Sequence, residues 1–195
     1  MQRRLLMGLA LFFLLTGCGG GGPLWRVVSQ ANPNPLLGQK QFAVAPLDFS
    51  AVTVGAKTEA EYLASKTEEK DRAAWAESKA ALQEEFNKGI RVGGNAAGLQ
   101  VSLGESGAPF IIRAKVDLIE PGYYAYVASK ASQVKLTVKI VSADGKEVDE
   151  VLLEHYTGAS MGNASVASRM RSDGDALGGN TAQYVSQRVA PKAAQ

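Results

Sequence analysis

Residues 134–156 read VKLTVKIVSADGKEVDEVLLEHY. Two runs in which apolar and polar residues alternate flank Asp144-Gly145, the dipeptide that suits a two-residue hairpin turn of type I′, where both central residues need positive φ. Such a turn fixes the register. It sets Val138 opposite Val151, Leu136 opposite Leu153, Val134 opposite His155 and Val141 opposite Val148. Lys135 then faces Glu154, and Lys139 faces Glu150. One face of the predicted hairpin is apolar, and the other carries two opposite-charge pairs that a slip of one residue would destroy.

Upstream, Phe110, Ile112, Ala114, Val116 and Leu118 alternate with Arg113, Lys115 and Asp117, which predicts a half-buried strand closed by Glu120-Pro121-Gly122. Tyr123, Tyr124 and Tyr126 follow. Rings that also carry a hydroxyl suit a recognition surface, but alternating tyrosines are expected first to finish a strand and pack on the core. Leu99–Leu103 predicts a further strand. Residues 59–88 predict one long helix, with capping boxes at Thr58/Glu61 and Ser65/Glu68 and ion pairs Glu68–Arg72 and Glu84–Lys88. Trp75, Leu82, Phe86 and Ile90 form its apolar stripe; Tyr62 and Leu63 fall off it, so the first turns are set apart. Residues 41–49 (QFAVAPLDF) read as a strand covered on both faces, placed at an edge or broken at Pro46.

Downstream, helical turns are expected around Val166–Arg171. The Gly- and Asp-rich run 172–180 should break them before a last helix capped by Thr181. The expected class is α+β: a mostly antiparallel sheet with a long first helix and a C-terminal helix packed on one face.

Chemistry is sparse. His155 is the single histidine and falls on the apolar face of the hairpin, where a structural role is expected. There is no phosphate-binding loop and no Cys/His cluster for zinc. Asp173-Gly174-Asp175 with Gly178 half-matches a calcium loop, but Leu177 and Tyr184 stand where oxygen ligands belong, so a solvated turn is expected. No metal, cofactor or small-molecule substrate is indicated.

At the amino terminus Arg3 and Arg4 precede the apolar run Leu5–Leu15 and then Thr16-Gly17-Cys18. This is the pattern of a secretory signal, and it falls short of the ~20 apolar residues that span a bilayer. Without residues 1–17, 19 basic side chains meet 19 acidic ones, a balance that argues against nucleic acid as a partner. Leu15-Thr16-Gly17-Cys18 resembles a bacterial lipobox, and Cys18 is the single cysteine of the chain. The resemblance implies cleavage before Cys18 and its acylation, with lipid as the only attached group. Gly19, in place of the Asp that favours inner-membrane retention in enterobacteria, points to the outer membrane.

The expected organisation is a signal peptide at 1–17, a lipidated flexible tether at 18–40, one α+β domain at 41–190 and a tail at 191–195. Leu24, Trp25, Val27 and Val28 interrupt the tether and either dock on the domain or lie at the lipid surface. The lipobox, the FAVAPL strand, the long first helix, the strand ending Ile119-Glu120-Pro121-Gly122 and the 134–140 strand with its Asp-Gly turn resemble a group of bacterial envelope lipoproteins. Their fold is related to the amino-terminal domain of TolB and to the curli-secretion lipoprotein. This resemblance implies a non-enzymatic accessory or assembly subunit on the periplasmic face of the outer membrane, binding an envelope protein or polymer. A surface-exposed structural lipoprotein without a dedicated ligand and an envelope hydrolase are the alternatives.

Overall fold

The structure is a computed structural model and describes residues 24–191. Its order is β1 (Trp25–Gln30), β2 (Gln41–Val44), β3 (Thr53–Val54), β4 (Lys57–Thr58), α1 (Glu59–Ala64), α2 (Glu69–Ala96), β5 (Gln100–Leu103) and β6 (Phe110–Glu120). There follow β7 (Tyr123–Ala125), β8 (Ala128–Lys130), β9 (Ser132–Ser142), β10 (Glu147–Thr157), a 3₁₀ turn (Met161–Asn163) and α3 (Val166–Val189). The main sheet runs β1-β10-β9-β6-β2-β5. Its long strands are antiparallel, whereas β2 is parallel to both β5 and β6. Helices α2 and α3 pack on one face, over a core that includes Phe42, Leu82, Phe86, Ile90, Leu136, Val138, Leu153 and Leu177. Each such side chain, fully buried, contributes about 1.5–3 kcal/mol. The α+β class is as expected.

The central hairpin keeps the expected pairs, among them Val138 with Val151, Val134 with His155 and Lys135 with Glu154. Its tip differs. Gly145 alone takes positive φ (85°), and its N–H donates to the carbonyl of Ser142 at 2.8 Å. Ala143-Asp144-Gly145 is therefore a three-residue loop. A bulge between Glu147 and Asp149 absorbs the extra residue, so Val141 faces Glu147 rather than Val148 while every pair beyond the bulge is unchanged.

The long first helix is two. Thr58 caps α1 with both bonds of its capping box, whereas Ser65 is the C-cap of α1 and forms no capping box with Glu68. Tyr62 packs on Trp75 with ring centroids 4.9 Å apart, and Glu59 accepts from Trp75 and pairs with Lys79. The tertiary contact folds the first turns back. The helix ion pairs form one residue along, as Glu69–Arg72 and Glu85–Lys88. β2 stops at Val44, before Pro46, and lies inside the sheet rather than at its edge.

Two larger departures concern the ends of the chain. Residues 25–30, expected within the tether, form the edge strand β1 on β10. Trp25 meets Tyr184 edge-on at 5.5 Å, the docked alternative for that side chain. The Gly-rich run 172–180 does not break the C-terminal helix; α3 is continuous over 24 residues. α2 and α3 run parallel and very close. A Cβ on Gly174 would lie 2.6 Å from the Leu82 carbonyl oxygen, and one on Gly178 would lie 2.3 Å from that of Phe86. Glycine there permits the approach that makes the helix worth forming.

Candidate functional site at the upper end of the sheet

The end at which β6 and β10 finish and β9 and β1 begin is called upper. α3 builds it from its first turns. Ser165 caps the helix by accepting from the Ser168 N–H. One turn in, Arg169 is fully buried and donates to the carbonyls of Asn163 (2.9 Å), Ala164 (2.6 Å) and Pro121 (2.9 Å), while its Nε has no partner. Burial pulls its pKa below the usual guanidinium range, and the charge of Asp173 opposes that pull. Asp173, a further turn along and also fully buried, accepts from Ser132 Oγ (2.7 Å) and Thr157 Oγ1 (2.6 Å) and lies 2.8 Å from His155 Nδ1.

Two side chains on one helix face thus tie down the 3₁₀ turn, the end of β10, the start of β9 and the Pro121 corner. His155 is on the helix-facing side, as expected. Ser132 and His155 both contact the carboxylate rather than each other, so the three do not form a nucleophile–base–orienter relay.

From the Pro121 corner a small second hairpin, β7–β8, projects. Gly122 (φ 61°) starts it, and a Cβ there would lie 2.3 Å from the Lys130 carbonyl oxygen. Glu120 and Lys130 pair at 2.9 Å across its base. Ala125 pairs with Ala128, leaving Tyr126-Val127 as a two-residue loop whose residues are 91% and 94% exposed. Tyr123 is half-exposed, and Tyr124 is partly covered. The tyrosines do not finish a strand against the core: they lie on a separate hairpin, with Tyr123 and Tyr126 exposed.

The sheet face away from the helices is divided. Its lower half is closed by Ala108 of the 104–109 loop over Ala43, Ala45, Ile111 and Val141. Its upper half is an open groove lined by Arg26, Asp117, Lys135, Leu152, Glu154 and Tyr156. Lys135–Glu154 (3.4 Å) is a solvated ion pair within it.

Asp173-Gly174-Asp175 lies inside α3 rather than in a solvated turn. Among the described residues no group of three or more His, Cys, Asp or Glu could hold a metal ion, and no helix is long and apolar enough to cross a membrane. Leu15, Thr16, Gly17 and Cys18 lie outside the described residues.

No family model and no curated protein matches the chain. Among solved structures, the PelC dodecamer from Paraburkholderia phytofirmans and a variant of it are similar at 12% and 13% identity. Their TM-scores are 0.45 and 0.44; each likeness covers 80% of this chain and respectively 96% and 94% of the other.

Proposed function

We propose that the protein is a non-enzymatic lipoprotein of the outer membrane, held by lipid on Cys18 and facing the periplasm, that binds an envelope protein or polymer in the upper groove. The observation that carries the binding reading is the divided second face of the sheet. One half is sealed by a loop of the chain itself; the other offers Leu152 and Tyr156 between charges of both signs. A ring and an aliphatic patch with flanking polar groups suit an extended partner laid along strands. The lipobox supports the anchor, and the similarity to envelope lipoproteins supports the accessory role.

A photo-crosslinking residue at position 152 in intact cells tests the reading. A discrete adduct that is absent when the same residue is placed at position 92 is the expected outcome. Position 152 giving no more adduct than position 92 overturns it.

A further inference from the structure

The chain enters β1 at Trp25, opposite Leu153, and β1 runs antiparallel to β10. Leu24, the first described residue, therefore lies toward the upper end of the sheet, the end from which β7–β8 projects. β1 and β9 are separated by β10 alone, a lateral offset of about 10 Å at the usual strand spacing. Cys18 precedes Leu24 by six residues. A fully extended chain covers about 3.5 Å per residue, so a lipidated Cys18 keeps the upper end within about 20 Å of the lipid.

That end also concentrates exposed apolar side chains: Leu24, Tyr123, Tyr126, Val127, Tyr156 and Met161. The tip of β7–β8 is the most exposed of them. Turn geometry does not account for its residues. Tyr126 and Val127 both keep negative φ, a turn conformation open to most residues, so the turn does not call for them, and a bulky Tyr-Val pair at nearly full exposure contributes nothing to the core. Exposed apolar side chains that neither the turn nor the core requires are the kind of surface feature that marks an interaction site.

We infer that the Tyr126-Val127 tip is a membrane-contacting wedge. It dips into the interface of the same bilayer that holds the acyl chains of Cys18, with the Tyr126 ring among the headgroups and Val127 at the acyl boundary. Tyrosine suits that depth because the ring is apolar and the hydroxyl stays hydrated. The acyl chains supply the attachment, and the tip sets the orientation. Arg169 and Gly122 hold the hairpin base in place, so the contact fixes which way the groove faces. This rests on the lipid-anchor reading above.

The test separates the two. The mature chain, residues 18–195, carrying Cys18→Ser and an amino-terminal hexahistidine, is held on vesicles of phosphatidylethanolamine and phosphatidylglycerol containing a nickel-chelating lipid. An environment-sensitive nitrobenzoxadiazole label is placed on Ala128→Cys, beside the intact tip, or on Val92→Cys, near the lower end of α2. The label at 128 is expected to shift to the blue on the vesicles and to be quenched by lipid spin-labelled near the headgroup. The label at 92 should keep its aqueous emission. Tyr126→Ser with Val127→Ser, both at exposed positions, should abolish the shift at 128 without changing the circular dichroism. Aqueous emission at 128, or a shift that survives the double substitution, overturns the wedge. An adduct between the tip and an envelope protein in cells, with no shift on lipid, assigns the tip to a protein partner and overturns it equally. Palmitate incorporation at Cys18 in cells is read separately, and its absence removes the anchor reading while leaving the vesicle result to decide the wedge.

Discussion

The two ends of α3 bury charge in opposite ways. At the lower end Arg188 meets Asp149 through two bonds, Nε to Oδ2 at 2.6 Å and Nη2 to Oδ1 at 2.9 Å. The Tyr184 hydroxyl adds a third at 2.6 Å, and the Ala31 N–H a fourth at 3.2 Å. At the upper end Arg169 is caged by carbonyls, and Asp173 by two hydroxyls and an imidazole. The lower arrangement is a neutralised pair whose members need each other. The upper one holds each charge with carbonyls, hydroxyls and a ring nitrogen from separate segments, so it serves as a joint for loops. A two-residue charge pair gives local stability, whereas a charge held by groups from several segments gives shape to whatever carries those groups.

Asp149→Ala should show the largest effect. It leaves the Arg188 guanidinium without its counter-charge, a loss of about 3–5 kcal/mol in chemical denaturation. Asp149→Leu with Arg188→Met should recover part of that loss, because the unpaired charge goes with the carboxylate. A double variant less stable than the single one would break the reading of the lower end as a pair.

Between the ends, Gly178→Ala should cost about 2–3 kcal/mol, because its Cβ would lie 2.3 Å from the Phe86 carbonyl oxygen and 2.8 Å from the Ile90 nitrogen. Both are backbone atoms and cannot swing aside. Gly179→Ala meets nothing within 4 Å and should stabilise by up to about 1 kcal/mol through helix propensity. Equal melting temperatures for the two variants would refute close helix contact as the reason the glycines are tolerated.

Asp173→Asn should cost about 2 kcal/mol, less than Asp149→Ala. The amide keeps one acceptor, and a hydroxyl of Ser132 or Thr157 can turn to accept from its NH₂. The sharper readout is local: faster amide exchange or proteolysis at Ser132 and at 155–157, with the Asp149 region unchanged. Loosening of both ends together would show that they are not separate.

The last effect is confined to alkaline pH and leaves stability at neutral pH untouched. Burial first, and then the bond to Asp149, pushes the Tyr184 phenol well above its usual pKa. The unfolded phenol ionises near about 10, so above that pH the unfolded state gives up a proton that the folded state keeps. Stability is therefore intact below about pH 10 and falls above it, by up to about 1.4 kcal/mol per pH unit for this group. Tyr184→Phe should flatten that limb relative to the parent in urea denaturation curves taken across the range.

The sequence by itself determined the central hairpin, the α+β class and the inward side of His155. Alternating apolar residues and cross-strand charge pairs are properties of neighbouring positions, and a slip of one residue would turn every side chain to the wrong face. It also carried the three-residue tip without revealing it, since the loop and the Val148 bulge offset each other and leave the inner pairs alone.

Only the tertiary structure decided that Trp25–Gln30 is a strand, that residues 172–180 stay helical and that the tyrosines form a projecting hairpin. Trp25 is ordered by Tyr184, 159 positions away. Gly174 and Gly178 oppose helix propensity locally, and the close approach of α2 outweighs that local cost. One signal for it was present: Gly89 and Gly93 repeat the same four-residue spacing on α2, so each helix carries a small-residue stripe for the other. The buried roles of Arg169 and Asp173 had no such signal, because the carbonyls and hydroxyls that satisfy them come from positions that local periodicity cannot connect.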